Sequence, residues 1–311
     1  LIFGSHSDEH GVLLRSNSLE YPMEKYSGAF FDSRLVRRLP GTNLVSNTHW
    51  NENQYNYSSG NKVNNFTITD VGYAFEVEKI KNGKNTIFGF SIARETITNL
   101  NQLELQRDRL SLFYNDLIQR GSLTYSDGMN LNYSDEYGWN YSFGLQIYYA
   151  LNNDLKIHYK YDNGYKLPSQ FEKFSNFGSW MGNINLAIEK VETNEIGFSI
   201  DNNMIDLEIS LFHRFTENAL DWMYSDFNDH WQSINIPKVI VNGHHIASDI
   251  NIESLPVIGF ISTIDFDYTF VNLVHNDGDY RNNSNYLVHQ FSSTLDYDLF
   301  LGLSQIWMFR Y

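Results

Sequence analysis

The chain has no cysteine among its 311 residues, which removes disulfide scaffolds and thiolate zinc sites. Basic residues are few, 22 Lys and Arg against 37 Asp and Glu. The resulting net charge of -15 leaves no basic surface to displace counterions from phosphates, so a nucleic-acid partner is excluded. Long apolar runs are absent too. Stretches such as "LPVIGFISTI" fall well short of the roughly 18 residues that a transmembrane helix needs. A transmembrane strand is untouched by that shortage, because about 9 to 11 alternating residues suffice. The five prolines, at positions 22, 40, 168, 237 and 256, sit near expected strand ends or loops.

What the chain does have is aromatic residues, 22 Phe and 21 Tyr, at a mean hydropathy of only -0.40. Apolar and polar side chains must therefore be interleaved, as in strands with one greasy and one wet face. The stretch "YYALNNDLKIHYKYDNGYKLP" shows the arrangement: Leu155, Ile157, Tyr159 and Tyr161 alternate with Lys156, His158 and Lys160. The same period of two runs through Val71 to Val77 and Phe88 to Ile92, joined by the Asn82-Gly83 hairpin signal. It recurs in 141–151, in 196–200 and 205–211 around a turn at Asp201 to Asn203, in 258–270, and in 291–299.

Strands of ten or more residues are about twice the usual globular length. Tight links at Asn82, Asn152 and Asp201 alternate with long connections, expected at 162–192, 216–238 and 272–286. Short turns at one end and long loops at the other are the arrangement of a bacterial outer-membrane barrel. The expected fold is therefore all-β, a transmembrane antiparallel barrel, with residues 1–311 forming part of one domain. The chain opens on Leu1 and stops within an apparent strand, so it reads as a piece of a longer polypeptide.

Beyond Lys160 the sequence carries Gly164-Tyr165-Lys166-Leu167-Pro168-Ser169, then Glu172 and Phe174, then Gly182-Asn183 with Leu186 and Glu189, then Glu195-Ile196-Gly197. This order and spacing resembles the C-terminal half of TonB-dependent outer-membrane receptors over at least residues 140–311. It departs from the family pattern at Ile184 and Ile188, where prolines are usual, and at Lys166, where Arg is usual. The resemblance makes Gly164, Pro168, Gly182, Asn183, Leu186, Glu189, Glu195 and Gly197 structural motif positions. It implies a barrel of roughly 22 strands with a plugged lumen, of which about half the strands are expected here. It also implies energy supplied by TonB with ExbB and ExbD, through a plug that is not recognisable in these residues. The implied ligand is a scarce small molecule or metal chelate, a ferric siderophore or a cobalamin-like compound. Outer-membrane lipid and lipopolysaccharide are the expected surroundings, with a surface lipoprotein as a further candidate partner. Leu155, Ile157, Tyr159 and Tyr161 would then face lipid, and Lys156, His158 and Lys160 the plug.

Chemistry is sparse. His6 and His10, and the adjacent His244 and His245, lack a third ligand at metal spacing, so no metal site or cofactor is assigned. Asp135-Glu136, Asp206/Glu208 and Asp265/Asp267 are more simply lumen-facing polar residues than paired catalytic carboxylates, and no nucleophile elbow, P-loop or zincin motif occurs. No catalytic residue is assigned, and the chain is not expected to be an enzyme. Haem-uptake members carry a histidine between the proline motif and the "NL" motif; between Pro168 and Leu186 there is none, which argues against haem. Trp180, Trp222, Tyr224 and Trp231, with Phe177 and Phe227, fall in long connections, where aromatics serve as ligand platforms or pack loop against loop. Asp221, Asp226 and Asp229 are too ordinary a set to assign Ca²⁺. The competing reading is a passive porin or adhesion barrel without a plug; a soluble carbohydrate-binding sandwich would have shorter strands.

Overall fold

The computed structural model describes residues 2–11, 23–59, 62–99, 104–177, 180–225, 230–251, 261–275, 287–298 and 304–311. Strands β1 (Ile2–Gly11), β2 (Met23–Leu39), β3 (Thr42–Ser59), β4 (Lys62–Lys81), β5 (Lys84–Asn99), β6 (Glu104–Arg120), β7 (Leu123–Ser134), β8 (Gly138–Ala150) and β9 (Leu155–Lys166) follow one another. An insert then carries a short helix, α1 (Gln170–Phe174), and two-residue strands β10 (Asn176–Phe177) and β11 (Trp180–Met181). Strands β12 (Glu189–Asp201), β13 (Ile205–Ser225), β14 (His230–Asn251), β15 (Ile261–His275), β16 (His289–Asp298) and β17 (Ser304–Arg310) complete the order.

Each long strand pairs antiparallel with its neighbour in sequence, and β9 pairs β12 across the insert. The result is a wall of 15 antiparallel strands, more than the expected half of a roughly 22-stranded barrel. Among the described residues β1 and β17 each pair on one side.

The turns follow from local chemistry. Asn82 and Gly83 both take positive φ, 51° and 75°, and Lys81 pairs with Lys84, a two-residue hairpin whose backbone twist matches that of its strands. Asn152 Oδ1 accepts from the amides of Asp154 and Leu155 at 2.9 and 2.8 Å, and Asn202 Oδ1 accepts from Met204 and Ile205 at 2.9 and 3.0 Å. The "NND" and "DNN" sequences are thus the same asparagine-closed turn, used twice at one end of the wall.

The registers sort the side chains cleanly. On one face Ile147 lies opposite Tyr159 and Tyr159 opposite Ile196, and Ile157, Tyr159 and Ile196 are exposed at 45%, 39% and 60%. On the other face Gln146 lies opposite Lys160, and Lys160 opposite Glu195. The apolar face has charged margins. Lys84 pairs with Asp116 at 2.7 Å and Arg94 with Asp108 at 2.6 Å, while Phe88, Phe90 and Ile92 lie between them on β5. That step along the strand matches the roughly 9 to 11 residues that cross a bilayer.

The packed core among the described residues lies at one end of the wall, on β13 to β15. Ala219, Ile236 and Val239 form it, with Met223, Ile234, Val241 and Leu273 against them. Of residues 216–238, expected as a loop, 216–225 and 230–238 instead continue β13 and β14, past the last described residues that pair with β12 and β15. Alternation is lost there because Ala219, Leu220, Asp221 and Trp222 are all buried, so both strand faces are covered and the period of two disappears. Of the expected connection at 272–286, residues up to His275 belong to β15, and the remainder lies outside the described residues, as do Ile258, Gly259, Phe260 and Leu299.

Candidate ligand-binding site

The described residues of the insert at 167–188 form a compact shelf docked on β13 and β14. It starts with a capped helix. Ser169 Oγ accepts from the Glu172 amide at 3.1 Å, and Glu172 Oε2 accepts from the Ser169 amide at 2.8 Å, a reciprocal capping box. Lys166, the departure from the family's arginine, reaches Glu172 Oε1 at 3.2 Å, a single-point pair in place of a bidentate one.

The shelf is bolted to β6 and the 135–137 turn by charge. Arg107 donates to the carbonyl of fully buried Pro168 at 2.7 Å and to Glu136 Oε2 at 2.8 and 3.1 Å. Lys173 contacts the other oxygen of Glu136. Both cations are buried, at 4% and 8% exposure, and both lie near the ring of Tyr137, at 5.8 and 5.3 Å from its centroid. Burial, helped by the Arg107 guanidinium, pushes the Lys173 ammonium below the ordinary lysine range; the contact with Glu136 works in the opposite direction.

Several motif positions have a geometric reason. A Cβ on Gly182 would lie 2.6 Å from the Lys173 backbone, so only glycine lets β11 pass under α1. Asn183 accepts from the Asn185 amide through Oδ1 at 3.0 Å, and its own amide donates to the Glu172 carbonyl at 3.0 Å. Leu186 is buried at 4%. Glu189 Oε2 accepts from the Leu220 amide at 2.7 Å, beside Asn218, whose φ of 53° faces the amide-less Pro237. Asn235 supplies what the broken ladder lacks. Its side chain accepts from the Ala187 amide at 2.8 Å and donates to the carbonyls of Ala187 and Asn218 at 3.0 and 2.8 Å. Further along the wall, Glu195 pairs with Lys160 at 2.7 Å and His158 at 3.2 Å, and a Cβ on Gly197 would lie 2.6 Å from the His158 ring.

The four aromatic residues singled out in the sequence meet in one cluster. Trp180 stands edge-on to Trp222 at 5.0 Å and stacks on Trp231 at 5.8 Å; Tyr224 meets Trp231 at 5.3 Å, and Phe171 of α1 meets Trp222 at 5.7 Å. Trp180 and Trp222 are buried, at 7% and 5% exposure, and fasten the shelf. Trp231 and Tyr224 are half-buried at its edge. The side chain of Phe177, and all of Asp226, Phe227 and Asp229, lie outside the described residues.

Beside the shelf, on the wet face, a recess of about 580 Å³ is lined by Glu95, Arg107, Arg109, Asn132, Tyr133, Asn140, Gly164, Tyr165 and Ser169, among others. Nothing lies within 4 Å of a Cβ built on Gly164, so this motif glycine widens the recess rather than admitting a neighbour. Arg109 binds Asp70 at 2.5 Å, and Tyr165 is hydrogen-bonded to Asn132 near Arg109. The recess thus offers guanidinium, phenol, amide and hydroxyl groups on one wall, donors suited to an oxygen-rich anion.

A family description, TonB dependent receptor-like, beta-barrel, matches residues 6–307. The chain belongs to this family. Its members are outer-membrane proteins of Gram-negative bacteria, transporters rather than enzymes. Among solved structures, the siderophore receptor PirA from Pseudomonas aeruginosa superposes with a TM-score of 0.75 at 14% identity, covering 93% of this chain and 56% of that one. The FrpB iron transporter from Neisseria meningitidis, F3-3 variant, gives 0.71 at 11% identity, covering 99% and 55%. The hemoglobin and hemoglobin-haptoglobin-binding protein A of Haemophilus influenzae is 26% identical over 145 residues, 42% of this chain and 13% of that protein. The chain therefore spans about half the length of the solved receptors and a small part of the haemoglobin-binding protein.

The other candidate residues separate. His244 stacks on Phe270 at 5.1 Å on the apolar face, whereas His245 binds Asp267 at 2.7 Å on the wet face. As strand neighbours they point apart and share no site. The side chains of His6 and His10 lie outside the described residues. Asp206, Glu208, Asp265 and Asp267 line one recess of the wet face. What sequence reasoning missed is the Arg107–Glu136–Lys173 group, whose members come from a strand, a turn and a helix far apart in the chain; no local pattern marks them.

Proposed function

We propose that residues 1–311 form part of the barrel domain of a receptor that captures a scarce, oxygen-rich metal chelate at its mouth and imports it with TonB-derived energy. In this reading the chelate rests in the recess beside the shelf, against Arg109, Asn132 and Tyr165, with Tyr224 and Trp231 as its aromatic edge and buried Trp180 and Trp222 as their support. Ligand contact then biases a plug, and TonB with ExbB and ExbD works on that plug. The observation that carries the reading is the pairing of a rigidly docked shelf with a recess of guanidinium, phenol and amide donors on the wet face of an outer-membrane wall. A ferric siderophore fits those donors best. Cobalamin offers fewer anionic oxygens to guanidinium groups. Haem iron is a second reading, favoured by the match to the haemoglobin-binding protein and opposed by the absence of histidine between Pro168 and Leu186. Outer-leaflet lipopolysaccharide would border the barrel, and a surface lipoprotein would meet the shelf from outside.

Binding to the full-length protein in detergent tests this, with tryptophan fluorescence as the signal. Titration with a ferric siderophore panel, cyanocobalamin and haemin is expected to give saturable quenching by a ferric siderophore, reduced about 10-fold or more in Trp231→Ala, as for an aromatic hot spot. Quenching by haemin alone would move the assignment to haem, and no response to any chelate would contradict the reading.

A further inference from the structure

We propose that the wet face of the wall carries a divalent transition-metal site made by His158, Glu195 and Glu208 and held closed by the Lys160 ammonium. Three adjacent strands build it. His158 of β9 lies opposite Gly197 of β12, which lies opposite Ser210 of β13; Glu195 and Glu208 flank this row from β12 and β13. The imidazole is fixed before any ion arrives. Its side chain is 1% exposed, it packs on the Tyr148 ring at 5.4 Å, and it occupies the space that a Cβ on Gly197 would take.

So held, His158 Nε2 points at two carboxylates, 3.2 Å from Glu195 Oε1 and 3.8 Å from Glu208 Oε1. One ligand atom from each of the three residues lies within 4.8 Å of the others. Metal–ligand bonds of about 2.0–2.2 Å put neighbouring donors roughly 3–4 Å apart, so small side-chain rotations close the set. One imidazole and two carboxylates suit Zn²⁺ or Fe²⁺ and leave room for water.

Lys160 occupies the place of that ion. Its Nζ lies 2.7 Å from Glu195 Oε1 and 3.8 Å from Glu208 Oε1, and the side chain is 24% exposed on a flexible stem. An ammonium is a compact point charge that can swing out. Metal entry is then an exchange in which one divalent ion replaces one ammonium against the same two carboxylates, with the imidazole neutral. The site lies on the wall, apart from the recess beside the shelf, so it does not depend on the chelate-uptake reading.

The test uses full-length protein in detergent, with Zn²⁺ titrated calorimetrically and Co²⁺ as an absorbing probe. One ion per chain is expected. Lys160→Met should tighten binding about tenfold, because a partly buried ion pair no longer has to be broken first. Glu208→Gln, at a side chain 42% exposed, should weaken binding at least about 10-fold, the smallest loss reported even for groups behind the ligands. His158→Ala should do at least as much and abolish the cobalt spectrum of a nitrogen-containing site. Heat-modifiable migration on gels checks that each variant is folded. Unchanged affinity in Lys160→Met, or undiminished binding in folded Glu208→Gln, would overturn the proposal.

Discussion

Replacing Glu136 by glutamine is expected to release the 167–188 shelf while leaving the wall intact. The carboxylate is shared by Arg107 and Lys173, both almost fully buried. An amide keeps the shape but removes the one negative charge that, among the described residues, contacts both. Breaking a fully buried pair costs about 3–5 kcal/mol; with Glu136 itself 26% exposed, about 2–3 kcal/mol is the expected effect. Hydrogen exchange reads it directly. Peptides covering α1 and β11 should lose protection by about 30- to 150-fold, since each 1.4 kcal/mol is tenfold, while peptides from β7 and β8 stay as protected as before. Unchanged protection of the shelf would mean that the aromatic cluster alone holds it.

Trp222→Ala should have the largest effect of any single change at the mouth. The ring is 5% exposed and lies between Trp180 of β11 and Phe171 of α1, so its removal uncouples both halves of the shelf from β13. A buried tryptophan cut to alanine costs about 3–5 kcal/mol when its surroundings cannot collapse. Chelate affinity should fall with it, because Trp231 stacks on Trp180, whose own position depends on the Trp222 ring. Barrel assembly should survive, since Trp222 lies past Glu217, the last described residue of β13 that pairs with β12. Loss of the folded, heat-modifiable form would contradict this separation of shelf from wall.

Legibility in the sequence followed solvent. From Tyr141 to Tyr161 one face meets lipid and the other the lumen, so hydropathy alternates and the strands can be read directly. At Ala219 to Trp222 both faces are packed, alternation stops, and a strand reads as a loop. Between Met23 and Ser59 alternation is weak for the opposite reason: in "SNTHWNENQ" every residue but Trp50 is polar, so the two faces look alike, although its register continues the wall. Turn chemistry was the most local signal, and Asn82-Gly83, Asn152 and Asn202 each close the hairpin that their side chains or φ angles dictate.

The site divided along the same line. Trp180, Trp222, Tyr224 and Trp231 are visible as aromatics in polar surroundings, and the structure brings them together. What each does is set by burial, which the sequence does not carry: two serve as core and two as edge. Gly182 and Gly197 were legible as motif positions, while their physical reasons, a backbone crossing at Lys173 and an imidazole slot for His158, need the third dimension. Glu136 stands out only as one of an adjacent acidic pair, and Arg107 and Lys173 not at all, since a charge becomes informative only once its partner and its burial are known.

The most direct test of the account is energised uptake. Cells lacking their own ferric siderophore receptors would carry the full-length protein and be given a radiolabelled ferric siderophore, with TonB present or deleted. The account predicts accumulation that requires TonB, with surface binding retained when TonB is absent. Entry that persists without TonB, together with ion conductance through the purified protein in planar bilayers, would contradict it and identify a passive pore.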